Sequence, residues 1–361
     1  MRSLNVRKLE KFRKVLAEAK IDAALILGEL NQRYLTEFAF TDGALLVTQN
    51  HAELITDFRY FEAAQKKSGD VYRVSMPDNR QEYISKILSE DCVKTLGFEG
   101  SEVSYKVYKG LSEKYQGVDL ADIGDMISDM RKIKTPEELR IIQKAQDITD
   151  KAFSHLINMI TPNMTEIDVA AEIEYSMRKL GAESPAFETI AVSGDASSVP
   201  HGTPRNVKLK RGFLTLDYGA KLDGYCSDMT RTIVIGKGDS DMKKLYNTVI
   251  SAQKSALEYV RAGADSGEAD KIARDIIYAI PEYKGTFGHS LGHSLGLFIH
   301  EPPNLSPRSF GNKMRVGEVY TVEPGIYLYG KYGCRIEDLV AVEKDGAYNF
   351  THSTKEFIEI Y

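Results

Sequence analysis

The first 124 residues combine one helical hydrophobic pattern with several short apolar runs. A helix is predicted at the start, because apolar side chains recur there every three or four residues between charged ones, at Val6, Leu9, Phe12, Leu16 and Ala19. Short apolar runs predict strands at 23–27, 44–48, 53–56 and 94–98, and 60–67 has a helical pattern. Alternating strands and helices predict a small α/β domain that ends near Gly124.

The remaining residues, 125–361, open with helices and then change to strands and turns. After an amphipathic stretch at 125–134, Thr135, Pro136 and Glu138 form a capping-box pattern that predicts the start of a long helix. A second helix is predicted after Thr165, with Asp168 three residues further on. Helical patterns also occupy 242–261 and 268–279, whereas the rest from residue 184 onward is rich in strand and turn signals. We therefore predict two domains, 1–124 and 125–361.

A hairpin is predicted within 212–236, where two β runs flank the dipeptide Asp223-Gly224. Folding the chain at this turn brings Asp217 within about two residues of lying opposite Asp228, a spacing at which side chains on one face can meet. Two facing carboxylates repel each other unless a cation lies between them. The pair therefore indicates a metal site, and the alternative is that both are ordinary aspartates beside a turn.

Five potential metal ligands lie in five short, punctuated segments: Asp217, Asp228, His293, Glu323 and Glu337. Carboxylates favour ions such as Mn²⁺, and an imidazole also admits Zn²⁺, Co²⁺ or Fe²⁺. Two such ions can activate a water and stabilise both oxygens of a tetrahedral intermediate. The set predicts a dinuclear metallohydrolase.

Three of the seven histidines, His289, His293 and His300, fall within twelve residues, which favours a site over isolated core or surface histidines. His289 and His293 do not form a helical zinc-binding pair, because the glycines around them each weaken a helix by about 1 kcal/mol. Glycines here indicate instead a close backbone approach beside a strand.

Two more candidates come from neighbouring segments. His201 begins the loop 201–204, and loops that a scaffold positions often carry function. Arg335 shares a strand face with Glu337, two residues away. It is either an ordinary ion-pair partner of Glu337 or a residue that holds a carboxylate around the metal.

Composition restricts the range of partners. The chain is 42% hydrophobic and 27% charged with a net charge of −5, which fits a globular protein and argues against nucleic acid or an anionic membrane. Three cysteines without a C-x-x-C pair favour a reducing compartment, and the cytoplasm is the expected location. No run of about 18 apolar residues predicts a membrane span.

Taken in order, these segments resemble the pita-bread metallopeptidases, in particular the Xaa-Pro branch of prolidase and aminopeptidase P. The matching segments are TEFAFTDGALLVT, LITDFRYFEAA, MRKIKTPEELRIIQKA, PAFETIAVSG, HGTP, LTLDYGA, GYCSDMTRT, GHSLGHSLGLFIHEPP, TVEPGIY and RIED. They span essentially the whole chain. The resemblance implies an α/β (α+β) fold, with a C-terminal pita-bread catalytic domain after a smaller, creatinase-like N-terminal α/β domain.

The resemblance also implies a role for each candidate residue. Asp217, Asp228, His293, Glu323 and Glu337 match the ligands of two divalent ions, which are Mn, Co or Zn. Asp228 and Glu337 would bridge both ions, Asp217 would hold one, and His293 and Glu323 the other. Glu323 also matches the carboxylate that takes the proton of the nucleophilic water. The matches to catalytic histidines are His201 and His300, and those to substrate-site residues are His289 and Arg335.

The expected activity is hydrolysis of the Xaa-Pro bond at the N-terminus of dipeptides or short peptides, by a homodimer. Choosing between Xaa-Pro dipeptidase and Xaa-Pro aminopeptidase stays open. The stretch 302–306 lacks an arginine that prolidases often carry there for a dipeptide's carboxylate, whereas the short N-terminal domain is closer to compact prolidases. Two alternatives keep the fold without this chemistry: a metal-free, creatinase-like hydrolase that acts through a histidine, and a non-catalytic binding protein.

Overall fold

The computed structural model describes residues 4–361, and its contacts divide the chain into two units. One unit runs to Arg131 and the other is Lys132–Tyr361. This division lies a few residues beyond Gly124, the end of the domain predicted from sequence.

The first unit is a six-stranded mixed sheet with helices. Its helices are α1 (Leu4–Glu18), α2 (Glu29–Thr36), α3 (Phe61–Ser68), α4 (Arg80–Glu90) and α5 (Tyr105–Lys114). Its strands are β1 (Ala23–Ile26), β2 (Ala44–Thr48), β3 (Ala52–Ile55), β4 (Arg73–Ser75), β5 (Thr95–Phe98) and β6 (Asp119–Asp122). They lie in the order β4-β3-β2-β1-β5-β6, and β1 pairs antiparallel with β2 and parallel with β5.

The predicted α/β character of this unit is confirmed, although the sequence pattern missed several elements. The apolar runs at β1, β2, β3 and β5 do form strands, and they enclose an apolar core that includes Leu25, Leu46 and Leu96. The missed edge strand β6 has no fully buried residue, so no apolar run marks it. The strand at the opposite edge of the sheet, β4, was also missed and is only three residues long.

A short helix, α6 (Met126–Lys132), leads into the second unit, where the first two long helices begin at the predicted caps and the other two begin two residues before their predicted patterns. They are α7 (Pro136–Met159), α8 (Glu166–Lys179), α9 (Ser240–Tyr259) and α10 (Ser266–Tyr278). At α7 the capping box is complete: Glu138 N–H donates to Thr135 Oγ1 over 3.3 Å, and Thr135 N–H donates to Glu138 Oε2 over 2.8 Å. Thr165 and Asp168 do the same at α8. Within residues 4–361, no helix is both long and apolar enough to cross a bilayer.

The strands of the second unit form several small sheets. They are β7 (Ser184–Pro185), β8 (Ile190–Ser193), β9 (Gly212–Tyr218), β10 (Ala220–Leu222), β11 (Tyr225–Cys226), β12 (Met229–Ile235), β13 (Gly292–Ser294), β14 (Glu301–Leu305), β15 (Val319–Val322), β16 (Gly325–Leu328), β17 (Tyr332–Arg335), β18 (Asp338–Val342), β19 (Ala347–Asn349) and β20 (Glu359–Ile360). The main sheet has the order β20-β12-β9-β8, and the other groups are β11-β10-β7, β15-β18-β19, β13-β14 and β16-β17.

The main sheet places Asp217 by simple alternation. On β9, Leu214, Leu216 and Tyr218 pack into the core formed with α7 and α8. Because successive side chains of a strand point to opposite faces, Asp217 lies on the other face, as does Phe213, which packs against α9.

The predicted hairpin is confirmed. Asp223 and Gly224 have positive φ values of 46° and 85°, as a primed two-residue turn requires. Further along the hairpin Asp217 pairs with Thr230, so Asp228 lies two residues before the partner of Asp217. The two aspartates therefore reach the same region of the fold.

A buried ion cluster fixes the strands behind this hairpin. Arg231, 1% exposed, donates from Nη2 to Asp338 Oδ1 over 2.8 Å, and Lys355 Nζ lies 2.5 Å from Asp338 Oδ2. Burial alone would raise the pKa of Asp338, but the charges of Arg231 and Lys355 hold that pKa below its usual range. The cluster joins β12 to β18, the strands that flank Asp228 and Glu337.

Replacing Asp338 with Asn should lower the free energy of unfolding by about 3 kcal/mol, because Arg231 and Lys355 lose their countercharge. Asp275→Asn is the control, since Asp275 is an exposed partner of Lys271 on α10 and its loss should cost less than about 1 kcal/mol. Urea unfolding of both variants measures the difference. Equal losses of unfolding free energy would show that the buried cluster stabilises the protein no more than an exposed ion pair does.

Candidate metal centre

A single cavity of about 920 Å³ in the second unit brings the predicted site residues together. Its lining includes all nine of them: His201, Asp217, Asp228, His289, His293, His300, Glu323, Arg335 and Glu337. These residues are far apart in sequence, so their convergence is a property of the fold.

Each predicted ligand lies in or at the end of a strand. Asp217 is on β9 and His293 on β13, whereas Asp228 precedes β12, Glu323 follows β15, and Glu337 lies between β17 and β18. His293 is therefore not on a helix, as the glycines around it predicted. Gly292 allows β13 to approach β15, because a Cβ at this position would lie 1.9 Å from the carbonyl oxygen of Thr321.

Three of the five predicted ligands form a tight group. Ligand atoms of Asp228, His293 and Glu337 all lie within 4.8 Å of one another. His293 Nε2 is 3.5 Å from Asp228 Oδ2 and also 3.5 Å from Glu323 Oε1. One imidazole nitrogen thus faces two carboxylates at a separation that leaves room for a cation between them.

Arg335 orients Asp217 at the edge of this group. Its Nη2 donates to Asp217 Oδ2 over 2.6 Å, while Nη1 donates to the Tyr327 hydroxyl over 2.7 Å and Nε to Thr230 Oγ1 over 3.0 Å. Asp217 Oδ1 is buried and has no hydrogen-bond partner among residues 4–361. One oxygen of Asp217 is therefore held by the protein and the other is open.

Two threonines orient the glutamates in the same way. Thr230 Oγ1 donates to Glu337 Oε2 over 2.7 Å, and Thr321 Oγ1 donates to Glu323 Oε1 over 3.1 Å. Glu337 Oε1 is buried without a partner in the described part of the chain. Sequence reasoning missed both threonines, although each lies two residues from a predicted ligand, on the same strand face.

Tyr327 was also missed, and it connects His289 to Arg335. His289 Nδ1 lies 2.8 Å from the carbonyl oxygen of Ser290, which makes Nδ1 the protonated nitrogen. Nε2 then accepts from the Tyr327 hydroxyl over 2.9 Å. Burial, followed by the charge of Arg335, lowers the pKa of His289 to about 3, so this histidine is neutral. Tyr327 ends the segment TVEPGIY, four residues after the predicted ligand Glu323, and this short spacing is the signal that could have pointed to it.

The histidines His201 and His300 lie near the opening of the cavity, and both are exposed. The His300 ring centroid is 4.5 Å from that of His293. Partial burial of the His300 imidazole beside His293, followed by the charge of His201, lowers the pKa of His300. The His300 imidazole is therefore close enough to the ligand group to contact a substrate bound there, and His201 lines the same cavity.

Acidic groups repel one another strongly at this centre. Burial raises the pKa of Asp228 well above its usual range, and the charges of Glu337, Asp217 and Glu323 raise it further. Burial also raises the pKa of Glu323 to about 8, with Asp217 adding to the effect and Arg335 opposing it. Glu337 shifts in the same direction for the same reasons. Protein groups other than Arg335 contribute little positive charge here, which is the electrostatic setting of a cation site.

The donor set fits a divalent cation. Open carboxylate oxygens on Asp217 and Glu337 lack a partner and are buried, although such oxygens are normally hydrogen-bonded. Burial lowers the pKa of His293 to about 4, and a neutral imidazole is the form that binds metals. Oxygen donors with one imidazole suit ions from Mn²⁺ to Zn²⁺.

Known proteins resemble the chain over its whole length. The family model described as metallopeptidase family M24 matches residues 140–344, and that of the creatinase/prolidase N-terminal domain matches residues 8–133. An Xaa-Pro dipeptidase of Pyrococcus furiosus is 37% identical, covering 97% of this chain and 99% of that protein.

Two solved structures agree with this result. The Xaa-Pro dipeptidase from Bacillus anthracis has a TM-score of 0.93 and 38% identity, covering 99% of this chain and 100% of its own. The X-Pro aminopeptidase from Thermotoga maritima has a TM-score of 0.91 and 33% identity, covering 98% and 99%. The expected fold, a creatinase-like domain followed by a pita-bread domain, is confirmed.

Replacing Glu337 with Gln should stabilise the metal-free protein by at least about 1 kcal/mol, because it removes one of the mutually repelling buried carboxylates. The same change should remove most of the stabilisation by Mn²⁺, which for one site at a hundredfold excess over its Kd is about 2.7 kcal/mol. Thermal unfolding with EDTA and with Mn²⁺ measures both effects.

The control for this experiment is Glu318→Gln. Glu318 is also buried, but it is paired with Arg315 and Tyr320, so its loss should destabilise the protein and leave the Mn²⁺ effect intact. A Glu337→Gln protein that responds fully to Mn²⁺ would contradict the assignment of Glu337.

Proposed function

Because the chain belongs to metallopeptidase family M24, we propose that this peptidase hydrolyses the bond between an N-terminal residue and a following proline, in dipeptides or short peptides. The observation that carries the proposal is the convergence of all nine predicted residues on one cavity. The similar proteins named Xaa-Pro dipeptidase and X-Pro aminopeptidase support the choice of proline. Apolar lining residues, among them Phe187, Ile190 and Ile299, offer a surface for a prolyl ring.

We propose that Asp217, Asp228, His293, Glu323 and Glu337 hold two divalent ions, which are Mn, Co or Zn. When bound, such ions supply Lewis acidity that lowers the pKa of water to about 7 and polarises a carbonyl group. Their positive charge also removes the repulsion among the buried carboxylates.

Glu323 is the group that we propose moves the proton. Its Oε1 accepts from Thr321, which leaves Oε2 to take a proton from the attacking water. The prolyl nitrogen has no hydrogen in the peptide and must gain one to leave.

We propose that His201 and His300 donate hydrogen bonds to the carbonyl oxygen as negative charge develops on it. His289, held neutral by burial and by the nearby charge of Arg335, lines the same cavity without adding charge. Arg335 acts mainly through Asp217, since its guanidinium contacts that carboxylate directly.

The two alternative functions have less support. A metal-free hydrolase has no use for five converging metal donors, two of which, Asp217 and Glu337, have open, buried oxygens. A non-catalytic binding protein would have no need of Glu323 or of the histidines at the cavity. We further propose a homodimer in the cytoplasm, in keeping with the three cysteines, none of which forms a disulfide.

The charge of the cavity bears on whether dipeptides or longer peptides are preferred as substrates. Arg335 is the one arginine or lysine among the described lining residues, and it already contacts Asp217, Tyr327, Thr230 and the Pro200 carbonyl. Glu174 and Glu188 add negative charge to the lining. The carboxylate of an Xaa-Pro dipeptide would lose water here without gaining a countercharge. We therefore propose that peptides extended beyond the proline are preferred.

Asp228→Ala should lower kcat/KM for Ala-Pro-Ala by more than about a hundredfold and lower the bound metal content, because Asp228 lies at the centre of the ligand group. Cleavage followed by chromatography, together with metal analysis, tests both effects. Near-normal turnover with unchanged metal content would refute the proposed site.

Ala-Pro-Ala should be cleaved with a kcat/KM at least about tenfold above that of Ala-Pro, a difference of about 1.4 kcal/mol. Asn304→Arg should reduce this ratio, because Asn304 lines the cavity opposite His293 and an arginine there could pair with the dipeptide's carboxylate. Asn247→Arg, on the exposed side of α9, makes the same charge change elsewhere and should leave the ratio unaltered. A wild-type protein that prefers Ala-Pro would make the chain a dipeptidase.

A further inference from the structure

A buried carboxylate at the start of α8 forms an ion pair that the proposed reaction does not use. Glu166 is 0% exposed, and Arg205 binds both of its oxygens, with Nε 2.8 Å from Oε2 and Nη2 2.6 Å from Oε1. The backbone N–H of Arg205 also donates to Oε2, over 3.0 Å. Neither residue is among the described residues that line the cavity.

The same carboxylate also fixes the end of β8. Both the backbone N–H and the hydroxyl of Ser193 donate to Glu166 Oε1 over 2.8 Å. Burial tends to raise the pKa of Glu166, but the bonds from Arg205 and Ser193 outweigh it and keep the group ionised. Five donors thus tie β8, α8 and the segment after residue 204 to one point.

The loop 201–204, which carries His201, lies between Pro200 and Arg205. At its beginning the carbonyl oxygen of Pro200 accepts from Arg335 Nη1 over 3.3 Å, and at its end Arg205 binds Glu166. Between these ties, residues 201–204 form no hydrogen bond within the described chain. Gly202 packs closely on β8, since a Cβ there would lie 2.9 Å from Val192 Cγ1.

We propose that Arg205, through Glu166, is a positioning residue for His201. A loop without internal hydrogen bonds takes its position from its ends, and His201 borders the cavity only while both ends are held. A bidentate guanidinium–carboxylate pair fixes direction as well as distance, which a point charge does not. The inference rests on the proposed function, because it assumes that His201 contacts the substrate.

A double-mutant cycle separates positioning from a purely structural tie. Arg205→Gln removes the guanidinium and keeps the backbone donor to Glu166, and it is compared in the wild-type and His201→Ala proteins. We expect about a tenfold loss of kcat/KM for Ala-Pro-Ala in the wild type. In the His201→Ala protein the further loss should be less than about twofold, because the side chain that Arg205 positions is already gone.

Lys210→Gln is the matched control. Lys210 is about as exposed as Arg205 and pairs with Asp195, over 2.7 Å, just beyond the end of β8, but Asp195 is exposed where Glu166 is buried, and the pair does not hold the loop. Its replacement should change kcat/KM by less than about twofold in either background. Equal losses from Arg205→Gln in both backgrounds, or no loss in either, would overturn the proposal.

Amide hydrogen exchange gives a second measurement that needs no substrate. Exchange at the backbone amides of residues 193 and 205, both of which donate to Glu166, should be faster in Arg205→Gln than in the wild type and unchanged in Lys210→Gln. Unaltered exchange at these two amides would overturn the proposal whatever the activity. A wild-type protein that cleaves no Xaa-Pro peptide would instead refute the proposed function, and exchange alone would then decide whether Arg205 holds the loop.

Discussion

Repulsion among buried carboxylates is the constraint on which the rest of this structure depends. Asp217, Asp228, Glu323 and Glu337 converge on one cavity, and burial makes their charges costly. Arg335 offsets part of this repulsion through its bond to Asp217, and the rest remains until a cation binds. The surrounding fold must supply the free energy, through the apolar cores on both faces of the main sheet and through the Arg231–Asp338–Lys355 cluster.

The protein holds three of these four carboxylates by one oxygen and leaves the other oxygen free. Arg335 holds Asp217, Thr230 holds Glu337, and Thr321 holds Glu323. The open oxygens of Asp217 and Glu337 are therefore fixed in direction before any ion arrives. Such preorganisation lowers the cost of binding a metal, because the side chains have little freedom left to lose.

Local sequence signals predicted the parts of the fold that depend on neighbouring residues. Asp223-Gly224 and the capping residues Thr135 and Thr165 act within a few positions, so the hairpin and two helix starts followed from them. The five ligands were found because carboxylates are unusual in strands and because the motifs resemble a known family. The resemblance supplied the roles of these residues, which periodicity alone does not give.

Contacts between distant segments could not be predicted in the same way. Thr230 and Glu337 are 107 positions apart in the sequence, and Glu166 and Arg205 are 39 positions apart. Neither pair has a spacing that marks it. The residues that Thr230 and Arg205 contact can be identified only once the strands are paired. Strand alternation predicts that Thr230 lies on the same face as Asp228, but it does not predict that Thr230 binds Glu337.

Gly292 shows how an absent side chain can serve a metal centre. Its lack of a Cβ lets β13 lie against the Thr321 carbonyl, and His293 N–H then reaches the Thr321 hydroxyl over 3.0 Å. That same hydroxyl donates to Glu323, so one threonine sets the spacing of an imidazole and a carboxylate on two different strands. The distance between the His293 and Glu323 donors limits the radius of the ion that can bind between them. That distance depends on Gly292, a residue without a side chain.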